Sequence, residues 1–154
     1  MITGSDVNNS HIIIMSQKHC TCYVSANCAK HNDSLLTDPF VRVEMTCGGK
    51  KLKKKRTSTK KATMNPMWNE ALVFNLHVHG RDTQSGAREV SLAGVNVELM
   101  VLSDGLLGTS EPLGRVTLGD QATGAELSHW HELLSTRNAP ARWHILHAVT
   151  SVSE

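Results

Sequence analysis

The stretch from residue 40 to residue 49 reads Phe40-Val41-Arg42-Val43-Glu44-Met45-Thr46-Cys47-Gly48-Gly49. Its first seven residues alternate, with apolar side chains at 41, 43 and 45 on one face and charged side chains at 42 and 44 on the other. This is the pattern of a half-buried strand. The two glycines that follow permit a tight turn. We therefore predict a β-hairpin whose second strand is the basic window that comes next.

That window, residues 50–61, holds half of the chain's 16 lysines and arginines and no acidic residue. Its cations are Lys50, Lys51, Lys53, Lys54, Lys55, Arg56, Lys60 and Lys61. The rest of the chain has eight basic and 14 acidic residues, so the formal net charge of +2 hides a weakly acidic body with one concentrated cationic stripe. Such a stripe suits partners that present phosphates or carboxylates.

The composition is that of a folded, single-domain protein. With 154 residues, 40% hydrophobic and 19% charged, we expect one core and no global disorder. No apolar run approaches the roughly 20 residues that span a bilayer, and no signal peptide is recognisable. The four cysteines lack the spacing of a zinc site, so we expect free thiols and a cytosolic location.

Further strands and one helix follow the hairpin. Residues 71–76, 95–102, 115–118 and 143–149 have strand patterns and are separated by turns. This spacing favours an all-β fold, an antiparallel β-sandwich, over a parallel sheet. Thr123-Gly124-Ala125-Glu126 is a capping box, and apolar residues follow it at helical spacing at 127, 130 and 134. One short helix is therefore predicted near the carboxyl end.

Several motifs along the chain carry a family resemblance. They are Thr37-Asp38-Pro39-Phe40-Val41-Arg42-Val43, the basic window, Met64-Asn65-Pro66-Met67-Trp68-Asn69-Glu70, Gly114-Arg115-Val116, the predicted helix, and Trp143-His144-Ile145-Leu146. In this order they resemble the second C2 domain of synaptotagmins, from about residue 32 to residue 146. The resemblance implies an eight-stranded C2-type β-sandwich.

The resemblance also implies a function in vesicle trafficking and exocytosis, at the cytoplasmic face of a vesicle or plasma membrane. In that family the basic strand contacts acidic phospholipids, phosphoinositides, SNARE proteins and the clathrin adaptor, and other C2 domains are further partners. Trp143, His144 and Leu146 would form a docking motif, although a closing strand with a packed tryptophan explains them equally well. No histidine is spaced with a nucleophile and an acid, so we expect a binding module and not an enzyme.

The calcium-binding positions of the family are where this sequence departs from it. They fall on Asn32, Asp38, Ser103, Gly105 and Glu111. A shift of one residue would recruit Asp33 and Asp104 instead. Calcium takes about 6 to 8 oxygen ligands, and its affinity falls as charged ligands are removed. Because Gly105 offers no side chain and Ser103 no charge, we expect no metal, no cofactor and calcium-independent behaviour.

The amino-terminal segment shows no clear match to the first two strands of a C2 domain. We therefore divide the chain into an atypical segment at 1–31, the C2 domain at 32–149 and a short tail at 150–154. Two alternatives are open for the segment. Either the first two strands are missing, which would leave exposed sheet edges, or residues 11–15 and 20–26 supply substitute strands.

The basic window has other interpretations. Lysines protect a sheet edge from self-pairing, so the window could be only a solvated edge strand. It could also bind nucleic acid or an import receptor, which would make the chain a protein–protein scaffold. No aromatic residues are interleaved with the cations to stack on bases, so nucleic acid is not expected. The predicted function is calcium-independent binding of phospholipids and SNARE proteins.

Overall fold

The structure, a computed structural model, describes residues 9–15, 20–26, 37–63, 65–74, 93–135 and 141–149. These residues form eight strands and one α-helix. The elements are β1 (Asn9–Met15), β2 (Cys20–Ala26), β3 (Pro39–Cys47), β4 (Lys50–Arg56), β5 (Met67–Phe74), β6 (Val95–Asp104), β7 (Ser110–Gly119), α1 (Gly124–Ser135) and β8 (Arg142–Ile145). The strands make two four-stranded antiparallel sheets, so the predicted sandwich with one short helix is confirmed.

One sheet has the strand order β4-β3-β6-β7 and contains the predicted hairpin. Strands β3 and β4 pair from Arg42 opposite Arg56 to Cys47 opposite Lys50. Gly48 and Gly49 have φ values of 55° and 78°, which glycine adopts without steric cost and which a tight hairpin turn requires. Strand β4 lies at the edge of this sheet, because β3 is its neighbour on one side only.

The other sheet has the strand order β5-β2-β1-β8 and answers the question of the first two strands. Strand β1 pairs with β2 and β8, and β2 also pairs with β5. The amino-terminal segment thus supplies two central strands, and the alternative in which they are missing is wrong. The alternative in which residues 11–15 and 20–26 supply strands is confirmed, with the first strand beginning at Asn9. The sequence left the choice open because both strands depend on pairing with strands that lie far away in the chain.

The core lies between the two sheets and follows the alternation of the strands. The inward side chains of β3, at 41, 43 and 45, are fully buried, and those of β6 at 97, 99 and 101 are at most 1% exposed. Trp68, Leu72 and Phe74 of β5 join the same buried cluster. Every residue of β4, in contrast, is exposed.

The helix α1 packs against β7 and β8 and contributes the buried residues His129 and Trp130. The strand predicted at 143–149 ends earlier, at Ile145. The chain then leaves this sheet, because His147 exchanges two backbone hydrogen bonds of 2.9 Å with Arg115 of the other sheet. No helix in the described part of the chain is long and apolar enough to cross a membrane.

Candidate functional site

The cationic surface is the free edge formed by β4 and the segment that follows it. Cross-strand partners point to the same face of a sheet. Lys53 and Lys55 lie opposite Met45 and Val43, so they leave the strand on the core side of the sheet. Lys54 lies opposite Glu44 and leaves on the outer side. The lysines therefore surround the edge rather than covering one flat face.

Two of the eight basic residues form ion pairs with carboxylates that lie outside the β3–β4 hairpin. Arg56 Nη2 lies 3.4 Å from Asp104 Oδ2, and the guanidinium stacks 3.7 Å from the centroid of the Phe40 ring. Lys61 Nζ lies 3.0 Å from Asp38 Oδ2. A third, Lys51, pairs with Glu44 at 2.9 Å across the hairpin.

The other five cations form what we call the open lysines: Lys50, Lys53, Lys54, Lys55 and Lys60. None of them has an ion pair with a residue that the structure describes. Lys55 Nζ additionally lies 5.7 Å from the centroid of the Phe74 ring, within the range of a cation–π contact. The basic residues named from sequence therefore divide into three ion-paired cations and the five open lysines, and the open lysines are available to an external anion.

The segment after β4 is fixed by contacts that sequence reasoning did not identify. Thr57 is buried, donates its backbone N–H to Val41 O and accepts the Val41 N–H on its hydroxyl, both at 2.9 Å. Trp68 Nε1 donates to Ser58 O at 3.0 Å. The Glu70 carboxylate accepts the Ser58 N–H, at 3.1 Å from Oε2. The motif at residues 64–70 contains Trp68 and Glu70, the two β5 residues that hold this segment. It was the feature of the sequence from which these contacts could have been predicted.

The positions that correspond to calcium ligands lie at the end of the sandwich beside this segment. Asp104 donates its backbone N–H to Asp38 O at 2.9 Å, and the Asp38 N–H donates to Ser103 Oγ at 3.2 Å. Gly105 is exposed and starts the turn to β7, where Glu111 lies opposite Ser103. Asn32 and Asp33 fall outside the described residues. The structure thus brings Asp38, Ser103 and Asp104 together.

The carboxylates of Asp38 and Asp104 already have partners. Asp38 Oδ1 accepts the Ala62 N–H at 2.7 Å, which is the main cause that lowers the pKa of Asp38, and Lys61 lowers it further. Asp104 Oδ2 accepts the Thr59 hydroxyl at 2.6 Å, which is the main cause that lowers the pKa of Asp104. Arg56 and Lys61 lower the pKa of Asp104 as well.

These residues do not fit a calcium ion. Calcium needs several unshared oxygens at about 2.3 to 2.6 Å. All four carboxylate oxygens of Asp38 and Asp104 accept hydrogen bonds, and the donors are Ala62, Lys61, Thr59, Arg56 and Ser110. Ser103 Oγ accepts a hydrogen bond from the backbone. Two of the neighbouring groups are cations, and they repel a metal ion.

The motif at the end of the chain separates into inward and outward residues. His144 and Leu146 are buried, at 2% and 8% exposure, whereas the Trp143 side chain is 57% exposed. His144 Nε2 lies 2.8 Å from Nδ1 of His129 on α1, and the two rings stack. His144 therefore joins the helix to the sandwich, and Leu146 belongs to the buried core cluster. Of the predicted docking residues only Trp143 reaches the surface.

The buried histidine predicts a pH dependence of stability. Burial is the main cause that lowers the pKa of His144 from its ordinary value of 6.5, while Glu126 opposes this shift. The unfolded chain therefore gains a proton below about pH 6.5 that the folded protein resists, so stability should fall between about pH 7 and pH 5. Urea unfolding across this range measures the loss. A His144→Asn variant should lose less stability over this pH range than the wild type does. An equal loss in both proteins would show that His144 is not the cause.

Comparison with known proteins supports the resemblance to C2 domains that the sequence motifs carry. The sequence model of the family described as "C2 domain" matches residues 17–133. Human Synaptotagmin-5 is 41% identical over 112 residues, which are 72% of this chain and 26% of that protein. Synaptotagmin-1 of Caenorhabditis elegans is 38% identical over 112 residues, 72% of this chain and 23% of that protein. The chain thus spans about a quarter of the length of these curated relatives.

Solved structures show the same fold at low sequence identity. A C2 domain of Drosophila RIM superimposes with a TM-score of 0.61 at 18% identity and covers 92% of this chain and 98% of its own. The first C2 domain of human synaptotagmin XIII gives a TM-score of 0.60 at 16% identity, with 94% and 90% covered. Because a first C2 domain fits as well, the assignment to a second C2 domain stays a prediction. The family match, the synaptotagmin relatives and the sandwich agree: this chain belongs to the C2 domain family.

Proposed function

We propose that this C2 domain binds anionic phospholipid membranes through the open lysines and does so without calcium. One observation carries the proposal: every residue of β4 is exposed, and its lysines at 53, 54 and 55 have no ion pair with a described residue. The domain acts as a binding module and not as an enzyme. It would work in vesicle trafficking and exocytosis, at the cytoplasmic face of a vesicle or plasma membrane.

The magnitude of the attraction fits a reversible membrane contact. Each basic residue near an anionic membrane surface contributes about 1 kcal/mol. Side chains that alternate about an edge strand cannot all reach one plane, so three or four contacts would contribute roughly 3 to 4 kcal/mol. That is weak recruitment, and it becomes effective in combination with a second domain or a protein partner.

The proposal includes the partner classes that the family resemblance implies. Phosphoinositide headgroups carry more negative charge than phosphatidylserine headgroups, and the closely spaced positive charges of the open lysines complement them. Acidic segments of SNARE proteins, the clathrin adaptor and other C2 domains would use the same charge complementarity. Trp143 offers a separate exposed aromatic side chain for protein contacts, because tryptophan is enriched in interfaces.

Nucleic acid is the competing partner for a cationic strand, and the surroundings of β4 favour lipid. Single-stranded nucleic acids bind through exposed aromatic side chains on which bases stack. The aromatic residues nearest the described basic segment, Phe40, Trp68 and Phe74, are at most 4% exposed. Among the residues that the structure describes there, bases would therefore find cations but no stacking platform.

Liposome co-sedimentation at two salt concentrations tests the proposal. Raising the salt from about 0.1 M to about 1 M shortens the Debye length from about 10 Å to about 3 Å. Binding to liposomes that contain phosphatidylserine and phosphoinositide should fall at least about tenfold, and neutral liposomes should not bind at all. A short duplex DNA serves as competitor. If the duplex removes the domain from the liposomes at a DNA phosphate concentration below the concentration of anionic lipid, the nucleic-acid alternative replaces the proposal.

A further inference from the structure

Two of the three ion-paired cations of the basic window, Arg56 and Lys61, have a different role from the open lysines. We propose that Arg56 and Lys61 are built-in counter-ions, which hold the carboxylates of Asp38 and Asp104 in place of a metal ion. The inference deepens the proposed function, because it gives a cause for calcium independence at this end of the sandwich. It does not depend on whether the open lysines bind lipid.

The backbone brings Lys61 to Asp38. After β4 the chain continues beside residues 37–39, with hydrogen bonds of 2.9 Å from Lys60 N to Pro39 O and from Thr63 N to Thr37 O. Ala62 has a φ of 49°, a left-handed conformation that is uncommon for alanine, and its N–H donates to Asp38 Oδ1 at 2.7 Å. The Lys61 ammonium then donates to Oδ2 of the same carboxylate at 3.0 Å.

Arg56 reaches Asp104 from the last position of β4. Phe40 supports the guanidinium from below, at 3.7 Å from the ring centroid. Thr59 lies between the two charges: its hydroxyl accepts from Arg56 Nη2 at 2.8 Å and donates to Asp104 Oδ2 at 2.6 Å. The arginine is thus oriented by stacking and by two hydrogen-bond partners, which an isolated surface lysine would lack.

The two carboxylates need counter-ions because the fold places them next to each other. The backbone hydrogen bond of 2.9 Å between Asp104 N and Asp38 O fixes the two residues as neighbours. Two like charges that share a site repel, and an opposite charge nearby favours ionisation of both. Single exposed ion pairs contribute little to stability. The two ion pairs therefore occupy the carboxylate oxygens and cancel the local negative charge, and they add little to the free energy of unfolding.

Seven of the eight basic residues thus divide into the counter-ions Arg56 and Lys61 and the five open lysines, and variants can separate the two groups. Replacing Arg56 and Lys61 with glutamine would remove both cations from the loop carboxylates and leave the open lysines in place. The hydrogen bonds from Ala62 and Thr59 would remain, but Asp38 Oδ2 would lose its ammonium partner and two positive charges would be gone, so a hard cation would meet less repulsion. Replacing Lys53 and Lys54 with glutamine removes the same number of charges from the same window but leaves both ion pairs intact, and it is the matched control.

The experiment is a calcium titration without lipid, followed by amide shifts in nuclear magnetic resonance spectra. The R56Q/K61Q variant should bind calcium with a Kd of about 1 mM or below, with the largest shifts at Asp38, Ala62 and Asp104. Wild type and the K53Q/K54Q control should bind at least about tenfold more weakly. If R56Q/K61Q does not fold, the single variant Lys61→Gln, which keeps the Arg56 stacking, is titrated instead.

Two results would overturn the inference. One is a folded R56Q/K61Q or Lys61→Gln variant that binds calcium no better than the control. The other is a wild-type protein that binds calcium at these same amides as tightly as the variant does. Neither result bears on membrane binding by the open lysines, since the titration contains no lipid. Failure of the proposed function would appear only in the liposome experiments.

Discussion

Replacing Lys53, Lys54 and Lys55 together with alanine is expected to weaken binding to anionic liposomes about thirtyfold to a hundredfold, because two to three contacts of about 1 kcal/mol each are lost. All three side chains are exposed, and none has an ion pair with a described residue. Their removal should therefore change the fold little. Co-sedimentation with liposomes containing phosphatidylserine and phosphoinositide, at low salt, measures the affinity.

The matched control replaces the same three lysines with arginines. It keeps the charge and the strand, so its affinity should stay within about threefold of the wild type if long-range attraction dominates. Thermal unfolding of both variants checks that the sandwich is intact. An alanine variant that folds normally and binds as tightly as the wild type would show that the open lysines are only a protected sheet edge.

Replacing Trp130 with alanine should cost about 3 to 5 kcal/mol of folding free energy, which is the range for a large aromatic side chain removed from a core. Trp130 is 1% exposed and belongs to the buried cluster that both sheets share. Its Nε1 donates to Asp120 Oδ1 at 3.2 Å, and Asp120 Oδ2 accepts the Gly94 N–H at 2.6 Å. The side chain thus joins α1 to the turn that precedes β6.

A Trp130→Phe variant separates packing from the hydrogen bond. It keeps most of the buried ring and loses the contact with Asp120, so it should cost clearly less than the alanine variant; the lost hydrogen bond alone is worth about 0.5 to 1.5 kcal/mol. Urea unfolding of the three proteins gives the free energies. A loss below about 1 kcal/mol for Trp130→Ala would mean that α1 is only loosely attached to the sandwich.

The sequence was informative wherever structure depends on neighbours in the chain. The alternation at residues 40–46 and the two glycines predicted the β3–β4 hairpin, and the basic window coincides with β4 and its extension. The capping box predicted α1 with nearly correct bounds. These signals are local, because strand periodicity, turn chemistry and capping each involve residues within a few positions of one another.

Features that depend on distant contacts could not be predicted in this way. Nothing local indicates that β1 pairs with β8 or that β2 pairs with β5. The division of the basic window is likewise tertiary, since Asp104 lies 48 positions from Arg56 and Asp38 lies 23 positions from Lys61. From the sequence all eight cations looked equivalent. The folded chain distinguishes the cations that pair with carboxylates from those that have no ion pair with a described residue.

The central claim is that the open lysines, and not a metal ion, bind this domain to anionic membranes. The most direct test compares co-sedimentation of the wild-type domain with phosphoinositide-containing liposomes in a calcium chelator and in calcium at about 0.5 mM, a concentration that loads moderately weak calcium sites. We expect the same affinity in both conditions, because Arg56 and Lys61 already occupy the loop carboxylates. A strong increase in binding on addition of calcium would contradict the claim.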